Sequence, residues 1–225
     1  MIEELARNPE KYRAGDNYTS NSNIVFPVEF QGTRLINKKP KIIATGVHTY
    51  YFLRSKFGDR KLCTGRESIK NEARKLKQLE GLRIPRLYYN NSGIIIREYI
   101  DGKDFRQLEN RGEIVRTLED TLEIINKIHE RGVAIGDCHA RNIIFGENGT
   151  YYIDFDGKFD ETDMLRARAL DIVKLVNSTY YITRDKALSI YAAEMAARTM
   201  RRETIEAARN LLEERKISDE VLNTS

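Results

Sequence analysis

The pattern of apolar residues changes once along this chain, near residue 100, and that change limits the folds open to it. Before it the chain reads mostly as strands. "NIVFPVEF" and "RLINK" flank the turn "QGT", and "RLYYNNSGIIIREYI" carries a second hairpin turn at Asn-Asn-Ser-Gly. Between them "ESIKNEARKLKQLEGL" sets Ile69, Ala73, Leu76 and Leu79 at helical spacing, with Gly81 as a C-cap. After residue 100 helices dominate: "IVRTLEDTLEIINKIHERG" is periodic and closed by Gly132, one hairpin follows over "NIIF…GTYYIDFD", and Asp163 to Lys216 reads as helix. The expectation is an α+β chain of two lobes, a β-rich N-lobe over 1–100 and a helical C-lobe over 101–225, sharing a cleft.

Composition bounds the setting. With 225 residues, 40% hydrophobic and 32% charged, the chain has the material for a globular core. No window approaches the roughly 18 uninterrupted apolar residues of a membrane span, and "MIEELARNPEKYR" lacks the apolar stretch of a signal peptide. A cytoplasmic protein without a transmembrane segment is expected, or one peripheral to the inner face of a membrane. Cys63 and Cys138 are too few for a disulfide framework or zinc cluster and read as reduced thiols. The net charge of +4 is unevenly spread: Arg34 to Arg86 holds fifteen Lys/Arg against four acids. Part of that excess is a solvated face, and the sharper reading is a phosphate-rich or acidic partner: protein, glycolipid or RNA.

One stretch concentrates polar groups between apolar runs: "IGDCHARNIIF", Ile135 to Phe145. Asp137 and Asn142 stand five apart after a long helix, and Asp154 follows twelve residues later in "YYIDFDGK". Asn142 and Asp154 offer oxygen ligands to Mg²⁺ or Mn²⁺, while Asp137 is a carboxylate free to orient an attacking hydroxyl and accept its proton. Phosphoryl transfer needs that combination. Asp and Asn also cap turns, and D-x-x-x-x-N alone would be weak; the Asp-Phe-Asp-Gly behind an apolar strand strengthens it.

From about Asn21 to Val176 the chain resembles the protein-kinase-like superfamily, whose catalytic loop and metal-binding segment are echoed by "GDCHARN" and "DFDG". The resemblance is nearest to small atypical members: RIO kinases, the KEOPS-complex kinase and lipopolysaccharide-core sugar kinases. It implies a two-lobed kinase-like fold with ATP as cofactor. "FQGTRLINK" looks like the strands that carry the ATP-anchoring lysine, Lys38, and "NEARKL" like the helix bearing its ion-pair partner, Glu72. "IIREYIDG" looks like the hinge, where backbone groups of Glu98 and Ile100 hold adenine. Asp137 becomes the catalytic base, Asn142 and Asp154 the metal ligands, and Asp171 the support of the catalytic loop.

Several points depart from that pattern or have rivals. Lys39 competes with Lys38, but strand alternation admits only one. Lys61 would leave too little chain before Glu72, so "VHTYYFLRSKFG" reads as an extra helix. No G-x-G-x-x-G is present, so Ser20 to Asn23, Ser22 among them, must cover the phosphates with small polar groups and backbone amides. Arg97 occupies a normally apolar position. His139, two after the base, fits sugar and antibiotic kinases and would bind the γ-phosphate; His48 and His129 are given packing or surface roles. Seventeen residues from Asp154 to Asp171 leave no activation segment, which implies constitutive competence and an acceptor docked elsewhere. Three classes follow: an atypical Ser/Thr protein kinase, which we favour, a sugar or glycolipid kinase, and a non-catalytic or ATPase-like partner- or RNA-binding module.

Overall fold

The computed structural model of the chain describes residues 2–18, 20, 23–41, 65–158 and 161–223. The expected extra helix, Lys61, His48, Cys63 and Ser22 lie outside the described residues. The chain divides into two compact units, Met1–Asp101 with Ile153–Lys158, and Gly102–Tyr152 with Phe159–Ser225.

The first unit is built on a four-stranded antiparallel sheet. Its strands are β1 (Asn23–Phe30), β2 (Thr33–Pro40), β3 (Leu87–Asn90) and β4 (Ile95–Glu98), ordered β1-β2-β4-β3. Gln31 and Gly32 both take positive φ, 53° and 73°, which matches the twist of a two-residue hairpin turn. In the second hairpin the Asn91 carboxamide oxygen accepts the N–H groups of Gly93 and Ile94. One sheet face packs Phe26, Val28, Phe30, Leu35 and Ile96 against Leu5 and Ala6 of helix α1 (Ile2–Arg7). The other packs Ile95 against Ile69 and Ala73 of helix α2 (Gly65–Gln78). Full burial of a side chain such as Phe26, at 0% exposure, contributes about 1.5–3 kcal/mol.

The second unit joins a small sheet to four helices. Strands β5 (Lys103–Asp104), β6 (Ile143–Gly146) and β7 (Gly149–Tyr152) pair antiparallel in that order. The helices are α3 (Arg111–Glu130), α4 (Met164–Thr183), α5 (Lys186–Thr199) and α6 (Arg202–Asn223). The side chains of Asn110, Asp163 and Asp185 accept backbone N–H groups at the first turns of α3, α4 and α5, which fixes where each begins. Ala169 and Val173 of α4 bury against Ala208 and Leu211 of α6.

The Asp154-Phe155-Asp156 segment, expected with the helical half, belongs instead to the first unit. The reason is chemical: its carboxylates and carbonyls are bound by residues of β1, β2 and α2.

Candidate functional site

Pleating sorts the two adjacent lysines of β2. Lys39 shares a face with Phe26 and pairs with Glu10 at 2.7 Å. Lys38 points to the opposite, α2-covered face, where its ammonium lies 2.5 Å from Glu72 Oε2, 3.1 Å from Asp154 Oδ1 and 3.0 Å from Asp156 Oδ2. Lys38 and Glu72 are buried. Burial works against the charge on Lys38, but Asp154, Glu72 and Asp156 outweigh it and hold the ammonium well above the usual lysine range. Burial and the neighbouring Asp156 push the Asp154 carboxyl up to about 6 against the pull of Lys38. Burial also raises Asp156, yet the charge and hydrogen bond of Lys38, with a bond from Ser68, keep it below the normal carboxylate range.

Arg97 enters the same cluster. Its Nε lies 3.3 Å from Glu72 Oε1, an approach of charges without hydrogen-bond geometry, so Glu72 sits between two buried cations. The unusual arginine of the sequence therefore counters carboxylate charge. Asn23, wholly buried at the start of β1, donates to Ser68 Oγ and Asp156 Oδ2. The polar residues of α2 are directed at the 154–158 segment: Ser68 to Asp156, Asn71 and Lys75 to the Gly157 carbonyl, Glu67 to Lys158.

In the second unit the loop from Gly136 to Asn142 is held at its backbone. Asp171, 0% exposed, accepts the Ile135 N–H at 2.7 Å and the Gly136 N–H at 2.8 Å. Gly136 has φ of 87°, a left-handed conformation that glycine takes without strain. Lys174 donates to the Gly136 carbonyl, and Ser178 Oγ accepts the Ala140 N–H. The Tyr152 hydroxyl accepts from His139 N and donates to the Asp137 carbonyl, both at 3.0 Å. Asp171, Lys174 and Ser178 recur at i, i+3 and i+7 on α4, so one helix face carries the loop. The Asp137 carboxylate remains 30% exposed, 3.4 Å from Arg141 and 3.9 Å from Lys174. Asn142 is buried with its amide nitrogen toward the Asp137 carbonyl at 3.4 Å.

His139 accepts the Arg141 N–H on Nδ1. Burial first, then the charge of Arg141, keeps its pKa below the ordinary histidine value. Glu98 donates its N–H to the Arg86 carbonyl and accepts the Arg86 N–H on its side chain; Ile100 is half-buried.

Lys38, Glu72 and Asp154 are thus brought together in the first unit, and Asp137, His139 and Asn142 in one loop of the second. Sequence reasoning missed Asp156, Arg97, Ser68, Asn71, Lys75 and Tyr152. His129, left between packing and surface by the sequence, is buried, with its Nε2 3.1 Å from Asp171 Oδ2. The i, i+3, i+4, i+7 spacing of Ser68, Asn71, Glu72 and Lys75 is the available signal, but only Glu72 of the four carries a site role in the sequence reading, and Lys75 counts there toward the basic excess. Of the fifteen cations expected to meet a partner, Lys38 and Lys75 are buried and bonded internally.

Comparison with known proteins adds the following. No curated protein matches the sequence. Among solved structures, WaaP in complex with acyl carrier protein is 15% identical, with TM-score 0.60 over 97% of this chain and 91% of that one. The Rio2 kinase of Chaetomium thermophilum, in an ADP/Mg²⁺-phosphoaspartate complex, is 14% identical, with TM-score 0.59 over 96% and 75%. These likenesses establish a protein-kinase-like fold. The RIO domain, family RIO1, matches residues 45–172. That match takes in α2, the Asp137–Asn142 loop, the Asp154 segment and the supporting Asp171, more than half of the 225 residues, and the chain accordingly belongs to the RIO-domain family.

Proposed function

We propose that the chain is an ATP-dependent kinase that transfers the γ-phosphate to a hydroxyl, with a protein Ser/Thr as the preferred acceptor. The observation that carries this is the buried Lys38 ammonium among Glu72, Asp154 and Asp156, supported by membership of the RIO-domain family. A lone structural ion pair would need one carboxylate; three against Lys38 and Arg97 leave negative charge for a further cation.

The donor set fits Mg²⁺ or Mn²⁺: carboxylate oxygens of Glu72, Asp154 and Asp156 lie within 4.8 Å of one another, and oxygen-only ligation suits these hard ions. Asp154 of that set would hold the ion, whose contribution would be to neutralise phosphate charge; Asn142 is the second ligand that the kinase resemblance implies. Lys38, oriented by Glu72, binds the ATP phosphates, and Glu98 and Ile100 offer backbone groups to adenine. Asp137 orients the acceptor hydroxyl and takes its proton. His139, neutral near pH 7 and accepting on Nδ1, carries its proton on Nε2 and can donate to the γ-phosphate.

A second reading, a sugar or glycolipid kinase, is favoured by one observation: Arg141 and Lys174 flank the Asp137 carboxylate, which suits an anionic acceptor. Purified protein incubated with γ-labelled ATP, Mg²⁺ and separate protein, glycolipid and RNA pools tests both. Label on Ser/Thr supports the first reading and label on glycolipid the second. No labelling, with no thermal stabilisation at millimolar Mg·ATP, would leave a binding module.

A further inference from the structure

Helix α2 carries a second pattern beside its apolar one. Ser68, Asn71, Glu72 and Lys75 lie along one face at helical spacing. Ser68, Glu72 and Lys75 are exposed by only 2%, 0% and 0%. Lysine is almost never fully buried unless paired, and Lys75 donates to the Gly157 carbonyl at 2.6 Å. Asn71 Nδ2 donates to the same oxygen at 2.7 Å. Two strong donors therefore take both lone pairs of one carbonyl. Ser68 Oγ fixes the preceding Asp156 carboxylate at 3.1 Å. The backbone three residues beyond Asp154 is thus held by side chains of α2, within one compact unit.

We infer that Asn71 and Lys75 are positioning residues for phosphotransfer: through the Gly157 carbonyl they fix the segment that presents Asp154 and Asp156. This rests on the reading of Asp154 as a ligand of the divalent ion. With only sixteen residues between Asp154 and Asp171, the chain has no long segment to order by phosphorylation, and α2 supplies the order permanently. Groups that orient metal ligands from behind typically change metal affinity by roughly 10–100-fold when removed.

The test uses the full chain as parent, Lys75→Met, Lys75→Arg and Asn71→Ala. Mn²⁺ binding in the presence of a non-hydrolysable ATP analogue is followed by the paramagnetic resonance of free Mn²⁺. Binding of the analogue with EDTA is followed by thermal shift. The expected result is Mn²⁺ affinity weakened about tenfold or more in Lys75→Met and Asn71→Ala, metal-free binding within about twofold of the parent, and substantial recovery in Lys75→Arg. If Lys75→Met does not fold, Asn71→Ala, at a half-buried position, decides alone. Parental Mn²⁺ affinity in the variants, or equal loss of both kinds of binding without recovery in Lys75→Arg, overturns the inference while leaving the kinase reading intact. A parent that binds no Mn²⁺ with the analogue overturns that reading and the inference with it.

Discussion

Replacing Lys38 with Met removes the cation on which three carboxylates converge. At a separation of about 3 Å and an effective dielectric constant of about 20, each contact has a Coulomb energy near 5 kcal/mol. Desolvation offsets most of that, and removing one partner of a buried pair costs about 3–5 kcal/mol net. Arg97, 3.3 Å from Glu72, remains as a second counter-charge, so we expect about 3 kcal/mol at pH 7. The pH dependence follows from the two aspartates. Asp154, raised to about 6 in the parent, contributes stability present below its ordinary value of 3.8 and lost as pH rises through 6. Asp156, held low by Lys38 despite burial, contributes stability above its ordinary value that is lost in acid. Without Lys38 both carboxylates shift up, so the variant loses most relative to the parent at neutral pH and least near pH 4–5, where protonation relieves the repulsion. Urea unfolding in EDTA at pH 4.5, 6 and 8, followed by circular dichroism, measures this. A deficit independent of pH, or one largest at pH 4.5, would refute the electrostatic account of the cluster.

Asp171→Ala removes the acceptor of the Ile135 and Gly136 N–H groups and should destabilise the chain by about 3 kcal/mol; urea unfolding showing under 1 kcal/mol would deny it the support of the loop. Cys138 is buried, and that burial, with the charge of Asp171, lifts its thiol well above the usual range. In a Cys63→Ser background it should therefore resist Ellman's reagent at pH 8 until urea is added, and rapid native labelling would contradict the packing. Arg74 and Lys77 are exposed on α2. Reversing both to Glu should raise acceptor KM at low salt with little change in ATP affinity, an effect screened near roughly 0.5 M salt; equal KM at low salt would remove this face from acceptor binding.

The hairpin around Gln31-Gly32, helices α2 and α3 and the order of strands before helices were legible because each rests on local rules of periodicity and turn chemistry. Pleating admitted only one of Lys38 and Lys39 to the site face, and the choice of Lys38, like Glu72 and Asp154, came with the kinase resemblance. What was not legible depends on which polar side chains a fold buries. Arg97 read only as an anomaly, because nothing local says that a β4 side chain reaches the far carboxylate oxygen of Glu72. Lys75 read as part of a basic surface, since burial of a lysine on an amphipathic helix is decided by the distant Gly157 carbonyl. His129 could be read only as packing or surface, because its partner, Asp171, is 42 residues away.

Asp137→Asn tests the central claim most directly. The Asp137 backbone carbonyl holds Tyr152, and asparagine keeps a side-chain oxygen to accept the Arg141 hydrogen bond, so the substitution leaves the loop bonded while removing the base. With γ-labelled ATP, Mg²⁺ and the acceptor pool that the parent labels, phosphate transfer should fall by roughly a hundredfold or more, with Mg·ATP affinity within about twofold of the parent. Transfer at the parental rate would contradict the assignment of Asp137 and, with it, phosphotransfer through this loop.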